Sequence, residues 1–191
     1  MARRRIRNRR GKMRRRGYTV VKASPDAAAN HMLLDLAASR KLSGMALDKV
    51  GEIVTRMHPG ADRHTIREIS LAWTSTDPAE QARLAGKEND DINYALVSSG
   101  QATGEVIGII MRTSQSEVIR GMAAQLEQAP GSELGEVITS GGNFEKLMAL
   151  GNPNARADAV LPEISNPDAN VQTAMELRFR SLFRRAERKK Q

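Results

Sequence analysis

Apolar residues recur at three- and four-residue spacing along most of the chain, and the residues between these runs are those that start and stop helices. Ser24-Pro25-Asp26 reads as N-cap, first-turn proline and first-turn acid. The helix it opens runs through Met32, Leu33, Leu36 and Ala37 towards Arg40 and Lys41, two cations suited to a helix C-terminus. Ser43-Gly44 restarts the chain. Ala46, Val50, Ile53, Val54 and Met57 then follow at helical spacing and stop at His58-Pro59-Gly60. Asp62 or Thr65 begins the next helix. Thr65 with Glu68 fits a capping box, and Ile66, Ile69 and Trp73 are expected inside. Asp77-Pro78-x-Glu80 opens a short helix that stops by Gly86, and Asn89-Asp90 caps another from Ile92 to Ser98.

The stretch 104–112 fits either a helix or a strand, but a lone strand has no partner elsewhere. One helix is therefore expected from Thr103 through Ala129, bent near Ser114, with Val118, Ile119, Met122, Ala123 and Leu126 inward and Pro130-Gly131 at its end. Ser132 to Thr139 and Asn143 to Leu150 read as short helices split by Gly141-Gly142. Gly151 to Pro167 reads as a connector with at most one short turn, and Asn166-Pro167-Asp168 opens the last helix. In that helix Val171, Met175, Arg178 or Phe179, Leu182 and Ala186 mark one face, widened by Leu177 and Phe183, with the basic cluster opposite. The fold class is all-α: a multi-helix body (24–165), a basic N-terminal arm (1–23) and a basic amphipathic C-terminal helix (166–191).

Composition sharpens this picture. The 191 residues suit one compact domain with tails. Aromatics are only 3%, so the core must be built from Leu, Ile, Val, Met and Ala, which leaves room for stabilisation by self-assembly or a partner. There is no cysteine, and hence no disulfide or thiolate chemistry, which fits a cytosolic or virion-interior setting. No apolar stretch approaches the roughly 18–20 residues that span a bilayer. The start has no apolar core of a secretory signal, and residues 1–16 hold too few apolar residues for a mitochondrial presequence.

Charge is the dominant feature. Residues 1–22 carry Arg3, Arg4, Arg5, Arg7, Arg9, Arg10, Lys12, Arg14, Arg15, Arg16 and Lys22 with no acid, a charge of +11. Residues 178–190 carry Arg178, Arg180, Arg184, Arg185, Arg188, Lys189 and Lys190 against Glu187, a charge of +6. Out of a total of +8, this leaves −9 for 23–177. Like charges at the arm's density oppose folding alone, yet the same density suits polyphosphate, where each contact releases condensed counterion. Arginine outnumbers lysine nine to two in the arm, favouring bidentate phosphate forks. Asn8 is its only amide, so backbone binding is favoured over base reading. A solvated tail and a localisation-type address are the bland alternatives. Lying on phosphates, docking on an acidic protein surface and lying on an anionic membrane all suit the C-terminal helix.

Catalytic and metal signals are weak. His58, Asp62 and His64 form the one cluster of metal-ligand types, but they sit around a Pro-Gly turn without a third-ligand pattern, so a turn with an Asp cap is the plainer reading. His31, on an amphipathic helix, is expected partly buried and hydrogen-bonded. Ala85-Gly86-Lys87 lacks a P-loop's upstream glycine, and no nucleophile elbow occurs. Gly100, Gly104 and Gly108, four apart, mark close helix packing within or between subunits, unless Gly100 simply ends the preceding helix. No catalytic residue, metal or cofactor is expected.

The arm resembles those of many viral coat and core proteins in composition, over about 20 residues, and the rest carries no family motif. The expected function is non-enzymatic packaging or coating of a genome, DNA or RNA, by phosphate contacts. The setting would be a virion or cytoplasmic nucleoprotein particle with self-association. An assembly or scaffolding protein and a ribonucleoprotein-particle component are the alternatives.

Overall fold

The computed structural model describes residues 25–38 and 47–188, and every regular element among them is a helix. Expectations at Arg40, Lys41 and Ala46 lie outside the described residues.

α1 (Pro25–Ala38) starts where Pro25 predicts and buries Ala29, Leu33, Leu34 and Ala37 along one face. Asn30 ties it to the fifth helix, donating from Nδ2 to Asp91 Oδ2 at 2.7 Å. His31 lies on the opposite, exposed face, which corrects its expected partial burial. α2 (Leu47–Met57) turns Val50 and Val54 inward but leaves Ile53 and Met57 on the surface.

α3 (Arg63–Thr74) is capped by Asp62, whose carboxylate accepts from the backbone N–H groups of His64 and Thr65 and from the Thr65 hydroxyl. That satisfies the orphan donors of the first turn, so the Thr65–Glu68 capping box does not form. Glu68 is buried and turned to cations instead. Ile66 and Ile69 are inside, each worth about 1.5–3 kcal/mol of burial, while Trp73 is half-buried. α4 (Pro78–Ala85) and α5 (Asp90–Ser99) begin at the expected caps, Asp77 and Asn89.

The stretch 104–112 is helical, but the single helix expected over 103–129 is two. α6 (Gly104–Thr113) ends at Ser114, and α7 (Glu117–Gln125) starts after Ser116. The serine hydroxyls compete with the helix ladder. Ser114 Oγ donates to Asp90 Oδ1 at 2.7 Å and accepts from Ser116 N–H, while Ser116 Oγ accepts from Ile119 N–H. Arg120 then takes the freed Ser114 carbonyl at 2.6 Å. Ile119 and Ala123 face the core and Met122 and Leu126 pack against it, but Val118 is exposed. Pro130 does not end this helix; it precedes α8 (Gly131–Ser140), which is followed by α9 (Asn143–Leu150).

The supposed connector is more structured than its prolines suggest. It contains α10 (Ala157–Val160) and a 3₁₀ turn (Leu161–Ser165). Asn152 donates to the carbonyls of Ala124 and Leu126, and Asn154 to those of Glu127 and Ala129, so the loop after α9 satisfies the end of α7. α11 (Ala169–Arg188) is capped by Asp168, which accepts from the N–H groups of Asn170 and Val171. It buries Val171 and Met175 and packs on α9 and the 3₁₀ turn, but Leu177 is exposed rather than widening the inner face.

The helices associate in two groups. α1, α2, α3 and α5 pack together, as do α7, α8, α9 and α11, and α5 against α7 joins them. Gly100 ends α5 with φ +70, a left-handed cap that suits glycine. Gly104 lies so close to the Gln128 carbonyl oxygen that a Cβ would approach it to 2.7 Å. Gly108 faces Pro130 and Glu133. The last two glycines therefore serve packing inside the chain.

Candidate functional site

The residues that sequence points to are mostly terminal. Arg3, Arg4, Arg5, Arg7, Arg9, Arg10, Lys12, Arg14, Arg15, Arg16 and Lys22 lie outside the described residues, as do Lys189, Lys190 and the side chains of Arg184, Arg185 and Arg188. Arg180 is exposed on α11 and meets Glu176 at 3.4 Å, with both side chains about 70% exposed. A solvent-screened pair of this kind holds its partners weakly, so the Arg180 guanidinium is accessible.

Arg178, at the head of the same basic run, has a different role. Its guanidinium donates to the carbonyl oxygens of Leu150 and Asn152 at 2.6 and 2.7 Å, and to that of Ala155 at 2.7 Å. The run therefore divides at its start, with Arg178 holding the loop after α9 and Arg180 facing solvent.

Most described cations of the body are similarly engaged. Arg83 and Lys87 meet Glu68, Arg112 meets Glu133, Arg120 meets Glu145, Lys146 meets Glu163 and Arg156 meets Asp158. Lys49, Arg56, Arg63 and Arg67 are the exceptions: among the described residues none of them has an ion pair or side-chain hydrogen bond. All four lie on the α2–α3 hairpin.

Arg56, Arg63 and Arg67 line a cleft of about 460 Å³ between these helices, with Gly51, Glu52, Thr55, Ile66 and Ser70. Gly51 lets the two helices approach, since a Cβ there would stand 3.3 Å from Ile66 Cγ2. Thr55 Oγ1 donates to the Gly51 carbonyl and Ser70 Oγ to that of Ile66, so both hydroxyl protons are committed within the helices. Among the described residues Glu52 is the one carboxylate in the lining. Sequence reasoning missed these arginines, although one signal was available. Arg63 and Arg67 are four apart and have no acid three or four residues away on either side, so no intrahelical pair quenches them.

A second cleft, about 550 Å³, has the opposite character. Glu117, Glu133, Glu136 and Glu145 line it with Arg112 and Arg120. The Ser132 hydroxyl, a backbone N–H and Arg112 together hold the Glu133 carboxyl below its ordinary value. The Glu145 carboxylate, which also accepts from Gly142 N–H, raises the Arg120 guanidinium further.

At the His58–His64 turn, Asp62 is occupied as a cap and His64 reaches Glu68 Oε1 at 3.3 Å. Among the described residues no group of three or more His, Cys, Asp or Glu is placed to hold a metal ion, and no helix is long and apolar enough to cross a membrane. Compared with family models, curated proteins and solved structures, the chain matches none.

Proposed function

We propose that this chain is a non-enzymatic protein that binds nucleic-acid phosphates without reading base sequence. In this reading it coats or packages a genome within a virion or cytoplasmic nucleoprotein assembly. The observation that carries the reading is the +11 of residues 1–22, gathered without one acid beside a body of −9. Such a segment gains most of its affinity from counterion release, and an arginine fork matches phosphate geometry. Arg180, accessible on α11, adds to it, together with Arg184, Arg185, Arg188, Lys189 and Lys190.

The test is fluorescence anisotropy of the full chain with random-sequence duplex DNA and with RNA, across a salt series. Both are expected to bind with steep salt dependence. Replacing the arginines of 3–16 with glutamine is expected to abolish binding. Absorbance at 260 and 280 nm with light scattering on the purified protein is expected to show nucleic-acid-loaded particles. Salt-independent binding, or a clean monomer without affinity for either polymer, refutes the reading.

A second reading is favoured by the acidic body: the basic helix docks on a neighbouring copy. It predicts that truncation after Arg180 blocks self-association and leaves nucleic-acid binding intact.

A further inference from the structure

We infer that the α2–α3 cleft is a phosphate-backbone subsite of the folded body, holding the nucleic-acid strand through Arg56, Arg63 and Arg67. This rests on the nucleic-acid reading above and extends it from the termini to a defined place in the fold.

The argument begins with selectivity in how the body uses its charge. Described cations outside the hairpin meet a carboxylate or a carbonyl, yet on an acidic body these three arginines line a common cleft in which Glu52 is the single described carboxylate, and none of the three is paired with it. The cleft's two hydroxyl protons are committed to helix carbonyls, so its uncommitted side-chain donors are guanidinium N–H groups. A ligand that satisfies them must be rich in acceptors and negatively charged. Each guanidinium presents a planar fork that matches two phosphate oxygens. At about 460 Å³ the cleft has room for a phosphodiester with its sugar rather than a single small anion.

Position supports the same occupant. Asp62 N–H donates to Asp26 Oδ1 at 2.7 Å, fixing the first turn of α1 against the residue that precedes Arg63. In sequence Asp26 stands four residues after Lys22, and its partner Asp62 directly precedes Arg63 of the cleft. Three arginines on a folded hairpin also supply what a tail does not, a defined spacing for the strand.

The experiment uses the full-length protein with a fluorescein-labelled 20-base-pair random duplex. It compares the wild type, Arg56→Gln/Arg63→Gln/Arg67→Gln, the corresponding triple lysine variant, and the arm variant with its arginines replaced by glutamine. At about 0.9 per contact, the log–log salt slope of the triple glutamine variant is expected to fall by about 2 to 3, with affinity at low salt at least roughly tenfold weaker. The lysine variant should keep the slope. A triple glutamine variant with the wild-type slope, beside an arm variant that no longer binds, overturns the subsite and leaves the general reading standing. A wild type that binds neither duplex nor RNA overturns the general reading itself. If the glutamine variant keeps its slope but loses self-association, the cleft holds an acidic protein surface instead.

Phenylglyoxal labelling of the wild type, read by peptide mass, gives the same answer independently of any variant. Bound duplex should protect Arg56, Arg63 and Arg67, and equal labelling with and without duplex refutes the inference.

Discussion

Arg178 Nη1 donates to the Leu150 carbonyl oxygen at 2.6 Å, so the last helix is fastened to the end of α9 by a residue that belongs to the basic run by charge but falls beside Phe179 on the apolar face by spacing. The same guanidinium serves Asn152 and Ala155. Removing it leaves three carbonyls without this donor. Arg178→Met is expected to destabilise the protein by about 2–4 kcal/mol; Arg178→Lys should cost less, because an ammonium still donates to some of the carbonyls, but not nothing, because it cannot span all three. Urea unfolding followed by circular dichroism measures this, with nucleic-acid salt dependence expected to stay unchanged. A loss below about 0.5 kcal/mol would show that the loop holds itself.

Glu68 anchors the other group of helices. It is 4% exposed and accepts from Lys87 and from Arg83 at 3.4 Å, with His64 at 3.3 Å. Breaking a buried ion pair from one side typically costs about 3–5 kcal/mol. The cations here reach solvent, so Glu68→Ala is expected to cost about 1–3 kcal/mol. A double-mutant cycle with Lys87→Ala should return a favourable coupling. Zero coupling would mean that the pair does not hold α3 to the end of α4.

How much of this was legible in the sequence follows from these residues. Helix starts were readable wherever the capping chemistry is local, as at Pro25, Asp77 with Pro78, Asn89 and Asp168. Glu68 was misread because a capping box is a local pattern, whereas its partners Arg83 and Lys87 come from α4 and the turn that follows it. The α6–α7 break failed for the same reason, since Ser114 ends its helix through Asp90, 24 residues away. At the candidate interface the arm and the C-terminal run are plain in the charge pattern. Arg178 already falls beside Phe179 on the apolar face in sequence, apart from Arg180, but the carbonyls it holds after α9 are known only from the fold. The Arg56, Arg63 and Arg67 trio required the hairpin that brings α2 beside α3.

Acid should weaken the fold in a definite window. Asp62 is held below its ordinary carboxyl value, first by the Thr65 hydroxyl and then by His64 N–H. Glu80 is lowered by Arg83, and Glu133 chiefly by the Ser132 hydroxyl. A carboxyl depressed in the folded state contributes stability that is fully present above its unfolded value, near 4–4.5, and lost as pH falls through the folded value. The urea midpoint is therefore expected to hold between pH 7 and about 5 and to drop below about 4.5. Glu133→Gln should flatten part of that drop. A midpoint constant down to pH 3 would show that these contacts are absent in solution.

Two glycines should respond in opposite directions to the same substitution. A Cβ on Gly104 would lie 2.7 Å from the Gln128 carbonyl oxygen, a backbone atom that moves only if the turn after α7 moves with it. Gly104→Ala is therefore expected to destabilise by about 1–3 kcal/mol through overpacking. Gly135, inside α8, meets only Ala159 Cβ at 3.7 Å, an ordinary contact. Gly135→Ala is expected to stabilise by about 0.5–1 kcal/mol, because alanine loses less backbone entropy on entering a helix. Thermal and urea melts of the two variants beside wild type decide the matter. If Gly104→Ala is neutral, α6 does not approach the chain after α7 as closely as described. If Gly135→Ala is destabilising, the space beside α8 is filled by something other than Ala159.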